Sequence, residues 1–314
     1  VRVAIVTNTD NGKGLQRDAH ILSERFALRG HAVTLVHFQK APAPPRHAYD
    51  LAVFLEVGGK REARFHGMGR RQWLIPNPEW WEPGDSLDPF DRVLCKTSDA
   101  ERIFRARVPD HGRRVGFLGF TSQDVGIATD GAPQRRAVLH IAGGSTMKGT
   151  QAVLDAWAQW NGAEPPPPLF VCTSMPDAFR WPRSPLVSNL GRRPPGELAA
   201  LQRSLAWHVQ PSEYEGFGHV LHEGRSAGAV VLTTAAPPMN EAAGLCPWVA
   251  THASFPLKSA RTWRVSAGAV GAAVHRATGM SDVEIKRRGA EARDAWQADR
   301  DAFFAALDLE MEAV

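Results

Sequence analysis

Two carboxylates and an amine in the second half of the chain are of the types that could act together on a phosphorylated, hydroxyl-bearing ligand. In PSEYEGFGHVLHEGRSAGAVVLTT, residues 211–234, Glu215 and Glu223 flank a turn with two glycines and precede a β-branched run. In HIAGGSTMKGT, residues 140–150, Lys148 follows Gly143, Gly144 and Ser145. Were a helix to run through the turn, a rise of ~1.5 Å per residue would set the carboxylates up to ~12 Å apart and about 80° apart around the axis. That spacing suits a ligand with hydroxyls at both ends and phosphates between. Carboxylates accept from hydroxyls, while Lys148 and the amides of a helix N-terminus favour the anionic middle. Gly216 and Gly218 let the backbone approach closely. The plainer reading is the polar face of a helix and a solvated lysine in a first turn.

Other motifs exclude more than they assign. A P-loop needs glycine immediately before its lysine and a hydroxyl immediately after, but Lys148 precedes Gly149, so Walker-type hydrolysis does not fit. NTDNGKG, residues 8–14, sits where a phosphate-binding turn would. The third glycine of a dinucleotide fingerprint would fall at Arg17, so that reading fails. Asn11, Gly12 and Gly14 then form an active-site loop or an ordinary βα turn. IPNPEWWEPGD, residues 75–85, places Glu79, Trp80 and Trp81 in a proline-rich loop, either to stack on a sugar or base or to pack internally. Asn240 and Glu241 in PPMNE are a donor-side loop or a plain turn. Trp157 and Trp160 read as core. The 12 histidines show no HxxxH or HxH spacing, so no metal site is expected.

The elements that must position these residues alternate between two periodicities. Strands are expected at 1–7, 31–38, 51–57, 72–77 and 90–97, with helices at 15–30 and 98–108. After TDGAPQRR, residues 129–136, the rhythm restarts with strands at 137–144, 169–174, 205–212 and 229–236, and helices at 149–161, 196–204 and from about His219 to Gly228. Apolar strands alternating with helices imply parallel sheets covered on both faces. Two such units facing each other would enclose a cleft beyond their strand ends. Ser281 to Glu284 reads as a capping box opening a long helix that carries Trp296, Phe303, Phe304 and Leu307.

The chain of 314 residues is long enough for two cores. A formal charge of +4 tolerates a polyanion without requiring one, and Arg70-Arg71, Arg113-Arg114, Arg135-Arg136 and Arg192-Arg193 read first as solvated patches. Cys95, Cys172 and Cys246 form no framework or CxxC pattern, which fits a reducing cytoplasm. No stretch approaches a membrane span and VRVAIVT is too short for a signal peptide, so a cytoplasmic protein is expected.

STMKGT, the Leu190-Gly191 pair followed by a helix, and PSEYEGFG with its second glutamate occur in an order that resembles the retaining family 4 glycosyltransferases of the GT-B architecture. The resemblance covers the second half well and the first half through its βα rhythm. It implies an α/β fold of two Rossmann-like domains facing each other across a cleft: an acceptor-side domain at 1–133, a nucleotide-sugar donor domain at 134–290, and a C-terminal helix at 291–314 returning across both. It implies Glu215 on the donor sugar, Lys148 on the diphosphate and Glu223 on the ribose. Gly143, Gly144, Ser145, Gly216, Phe217, Gly218, His219, Asn11 and Gly12 complete the donor side, with Glu79, Trp80 and Trp81 on the acceptor side. The co-substrate would be a nucleotide sugar of UDP-glucose type, with no metal or other cofactor. Departures are Gly143 where members commonly carry an arginine, and His219 and His222 after the turn. LHIAGGSTMKGT, EGFGHVLHEGRSAG and APPMNE look like a phage-carried subgroup, some of which modify 5-hydroxymethylcytosine in double-stranded DNA. That acceptor leads, ahead of a glycan, lipid or small metabolite. Rival readings are a nucleotide-sugar epimerase and a binding protein that kept the fold and lost the chemistry.

Overall fold

The computed structural model describes residues 1–9, 14–56, 58–108, 114–128 and 135–314, so Asn11 and Gly12 lie outside the described residues. The chain divides into two compact units. Unit 1 comprises Val1–Thr121, Pro256–Arg261 and Asp299–Val314, and unit 2 comprises Ser122–Phe255 and Thr262–Ala298.

Unit 1 is built on β1 (Arg2–Thr7), α1 (Gly14–Leu28), β2 (Ala32–His37), β3 (Tyr49–Glu56), β4 (Gly69–Pro76), β5 (Arg92–Cys95), α2 (Ser98–Arg105) and β6 (Val115–Phe117). The six strands form one sheet in the order β2-β1-β3-β4-β5-β6, paired in parallel throughout. Near-continuous apolar runs such as Val3–Val6 and Leu51–Leu55 are buried on both faces, as a covered parallel sheet requires. Helix α1 turns Leu15, Ala19, Leu22 and Phe26 inward, a 3.6-residue stripe. The same face buries Asp18, whose carboxylate takes a hydrogen bond from Lys96 Nζ at 2.8 Å. Thr97 caps α2 by accepting from the Ala100 amide.

Unit 2 is built on β7 (Arg135–Gly143), α3 (Thr150–Ala158), β8 (Leu169–Thr173), β9 (Val187–Asn189), α4 (Pro195–Ser204), β10 (Leu205–Gln210), α5 (His219–Ser226), β11 (Val230–Thr234) and β12 (Cys246–Val249). Its sheet runs β12-β11-β10-β7-β8-β9, also parallel. Counted within the unit this is the doubly wound order 3-2-1-4-5-6, with the reversal between β7 and β10. Strands β13 (Thr251–Leu257) and β14 (Ala260–Val265) pair with each other, and helices α6 (Ala267–Thr278) and α7 (Asp282–Glu312) follow. Ser281 Oγ accepts from the Glu284 amide at the head of α7.

The α/β class with two parallel six-stranded sheets agrees with the sequence expectation. Strands β6, β9 and β12, the β13–β14 pair and helix α6 go beyond it. The first three are only three or four residues long, and α6 is so rich in alanine and glycine that its faces differ little in polarity. Among the described residues, no helix is long and apolar enough to cross a membrane.

Removing one member of a buried ion pair strands the other charge. Asp18→Ala is therefore expected to destabilise unit 1 by about 3–5 kcal/mol through the desolvated Lys96. Urea unfolding measures this, and an unchanged midpoint would refute the placement.

Candidate functional site

Where the strand order reverses, the connections leaving two neighbouring strands part in opposite directions and open a crevice beyond the carboxyl ends. In unit 2 those strands are β7 and β10, in register through Trp207↔Val138 and His208↔Leu139. Segment 143–149 leaves β7 and segment 211–218 leaves β10, so both sequence motifs end at one point.

Gly149 carries φ +65°, and a Cβ there would stand 2.3 Å from the Pro211 carbonyl oxygen, so only glycine lets the two segments touch. The Glu213 amide donates to the Met147 carbonyl at 2.9 Å, and Thr234 Oγ1 donates to the Ser212 carbonyl at 2.7 Å. Held in this way, Lys148 Nζ lies 2.5 Å from Glu215 Oε1, which also accepts from Ser212 Oγ at 2.5 Å. Glu215 is only 8% exposed. Taking an ion pair out of water is costly, and such a pair at a crevice reads as a functional centre before a stabilising one.

Glu223 lies on α5 and is buried, with Gln202 Nε2 of α4 donating to its Oε2 at 3.1 Å. Gly218, at φ +87°, begins α5 without a side-chain cap, and a Cβ there would meet Glu215 Cγ at 3.3 Å. The turn thus folds the Glu215 side chain back toward the start of α5. Gly143 and Gly144 are exposed, and Gly143 has open space where a Cβ would project. Ser145 is half-buried, and its Oγ accepts from the Met147 amide at 3.1 Å. Gly216 and Phe217 are buried in the turn, and His219 is buried at the start of α5.

The structure therefore gathers Lys148 and Glu215, with Gly143, Gly144 and Ser145 on the segment leading to the lysine, and Gly216, Phe217, Gly218 and His219 on the turn leading to Glu223. Glu79, Trp80 and Trp81 belong to unit 1. Trp81 sits in the core against Phe90 and Phe104 and presents no face to a ligand. Trp80 is half-exposed, with Lys258 Nζ 5.0 Å above its ring. Glu79 is half-buried, and Asn240 and Glu241 are exposed after β11.

Sequence reasoning did not single out Ser212, Gln202, or the contact of Glu213 with Arg264, whose Nη1 reaches both carboxylate oxygens at 2.5 Å. Ser212 was findable, three residues before Glu215 inside the quoted turn. Gln202 and Arg264 come from distant segments and carry no local signal.

Three imidazoles brace the site in their neutral form. Burial pushes His140 down to about 4, with Nδ1 2.7 Å from the Val209 carbonyl and Nε2 2.9 Å from Thr150 Oγ1. Burial also lowers His208 to about 4, and its Nε2 lies 3.1 Å from the carbonyl of Gln202. His222 is held well below the ordinary value, first by burial and then by the neighbouring Arg225.

No protein-family model matches the sequence, and no curated protein matches it. Among solved structures, sucrose-phosphate synthase from Thermosynechococcus elongatus is similar with a TM-score of 0.70 at 14% identity, over 99% of this chain and 98% of that one. The fold is GT-B. WaaG, a glycosyltransferase involved in lipopolysaccharide biosynthesis, shares the GT-B likeness with a TM-score of 0.57 at 16% identity, over 96% and 98% of the two chains. A S. aureus TarM variant in complex with UDP gives 0.54 at 10% identity, over 81% of this chain and 55% of that one. At these identities the GT-B likeness is one of architecture.

The buried imidazoles carry a pH signature. Their folded pKa values lie below the unfolded value near 6.5, so the unfolded chain takes up protons that the fold refuses. Their contribution is full above about 6.5 and is lost as pH falls toward about 4, on the order of 3 kcal/mol each for His140 and His208. Thermal unfolding followed from pH 7 to pH 4 should show a steady fall in Tm. A flat profile through that window would contradict the buried, neutral assignment.

Proposed function

We propose that the chain is a retaining glycosyltransferase that moves a sugar from a nucleoside diphosphate donor to a hydroxyl acceptor. The observation that carries this is the partly buried Lys148–Glu215 pair at the β7/β10 reversal of a GT-B unit, with Glu223 eight residues further on. Lys148 and the uncapped N-terminus of α5 are the groups suited to hold the diphosphate. Glu215 accepts from sugar hydroxyls, and Glu223, oriented by Gln202, accepts from the ribose.

In the reaction, the bond from the sugar's anomeric carbon to the diphosphate oxygen breaks while the acceptor oxygen bonds the same carbon on the same face. The acceptor proton passes to the leaving diphosphate. The protein's part is stabilisation of charge by groups already in place, the form of catalysis that needs no reorganisation during the step. UDP in the similar TarM variant supports a uridine donor of the UDP-glucose kind.

For the acceptor, 5-hydroxymethylcytosine in duplex DNA is supported by the sequence resemblance. A glycan hydroxyl is supported by the lipopolysaccharide role of WaaG. Incubation with a panel of nucleotide sugars and either hydroxymethylcytosine-containing duplex or oligosaccharide acceptors, read by mass spectrometry, separates them. A sugar-shifted nucleoside establishes DNA, and a shifted glycan establishes the other. Donor converted to an isomeric nucleotide sugar without any acceptor would establish an epimerase.

Glu215→Ala is expected to lower turnover by about 10²–10³-fold, the scale for losing one group that acts in the transition state, while circular dichroism stays native. Wild-type turnover in that variant would sink the assignment.

A further inference from the structure

The turn that bears Glu215 and the helix that bears Glu223 are joined by a buried aromatic and cationic stack. The Phe217 and His222 rings lie face to face, 4.1 Å between centroids and 6° between planes. His219 meets Phe217 in a T-shaped arrangement, 5.3 Å between centroids and 79° between planes. Arg225 Nη1 donates to His222 Nδ1 at 2.8 Å, and Arg225 is wholly buried.

An imidazole that accepts at Nδ1 must carry its proton on Nε2, so the guanidinium selects one tautomer and one ring orientation. A ring so held is a rigid wall for Phe217, which sits two residues after Glu215. His222 itself immediately precedes Glu223. Gly218 between them leaves no side chain of its own to brace the turn, and Glu215 Cγ comes within 3.3 Å of where its Cβ would be. The stack is therefore the side-chain contact that sets the turn against α5, beside the Leu221 amide donating to the Gly218 carbonyl at 2.9 Å.

We propose that His222, oriented by Arg225, is a positioning residue that fixes the spacing between Glu215 and Glu223 through the ring of Phe217. The inference rests on the glycosyl-donor reading of those two carboxylates. It gives a role to a histidine and an arginine that are both buried on α5 beside His219, Glu223 and Ser226.

The logic of buried partners supplies the test. Removing one partner strands the other, whereas replacing both with apolar groups of similar shape can be nearly neutral. His222→Phe keeps the stacked ring and removes the acceptor of the Arg225 Nη1 hydrogen bond. Arg225→Met removes the donor to His222 Nδ1 and leaves the ring its backbone hydrogen bond with Phe217. The double variant H222F/R225M keeps the ring and removes both polar partners.

Binding of UDP, ADP, GDP and dTDP is measured by calorimetry on each folded variant, and donor KM and kcat are measured wherever turnover is detectable. Each single variant should weaken diphosphate binding and raise donor KM by about 10-fold, and the double variant should return to within about 2-fold of wild type. His222→Ala with Arg225→Met, which lacks the ring, should not recover. Native-like binding in folded single variants, or equal recovery with and without the ring, would overturn the inference alone. A wild-type protein that bound none of the four nucleotides would overturn the glycosyl-donor reading and the inference with it.

Discussion

The close approach of the Gly149 backbone to the Pro211 carbonyl is the constraint on which the site depends. It can form only because β7 and β10 are neighbours in a parallel sheet whose strand order reverses between them. Once the two segments touch, the side chain before Gly149 and the turn after Pro211 share one small volume, and Lys148 meets Glu215 there. An ion pair so placed is not a favourable choice for stability, because desolvation offsets most of the attraction. Ser212 Oγ supplies part of the compensation by donating to the same carboxylate oxygen. A ligand that presents phosphates to Lys148 and hydroxyls to Glu215 would give each a new partner.

Around that node lies a scaffold of buried polar groups that reach outward by hydrogen bonds. His140 ties β7 to β10 through the Val209 carbonyl and to α3 through Thr150. His208 on β10 contacts the carbonyl of Gln202, and the amide of Gln202 in turn orients Glu223. The imidazoles do this work because burial keeps them neutral, with one nitrogen able to donate and the other to accept. Rigid support of this kind suits electrostatic catalysis, where groups must already point at the charge before it develops.

How much of this was legible in the sequence follows from how local each signal is. The alternation of apolar runs and amphipathic helices gives the α/β class. The strand-to-helix turns containing Lys148 and Glu215 are readable because glycines and charged residues cluster within a few positions. Their meeting is legible only through a resemblance, since 67 residues separate them. Gln202 and Arg264 were invisible, because nothing around either residue marks it as facing a carboxylate elsewhere in the chain. The tryptophan loop divides for a related reason. Adjacent residues in an irregular segment face different ways, so Trp81 fills the core among Phe90 and Phe104 while Trp80 is half-exposed under Lys258. Composition alone cannot say which of two neighbouring tryptophans is which.

The basic bias bears on the acceptor only through cations that are free to leave their present contacts. Arg114 donates to the carbonyls of Leu87, Asp88 and Phe90, bracing the loop before β5. Arg136 reaches Asp282 and the carbonyls of Thr278 and Met280, where α6 ends and α7 begins. Each would have to break a network of hydrogen bonds to meet a phosphate. Arg70, Arg71, Arg135 and Arg192 are exposed, but the Arg70-Arg71 pair, Arg135 and Arg192 lie on separate elements. Duplex recognition draws its affinity from several phosphates neutralised together, and the salt dependence of binding counts them. A formal excess of four positive charges, partly committed to loop carbonyls, is thus as compatible with a neutral glycan hydroxyl as with a hydroxymethylated base. Under the proposed transferase reading, the donor side is the part for which the positions of individual side chains argue directly.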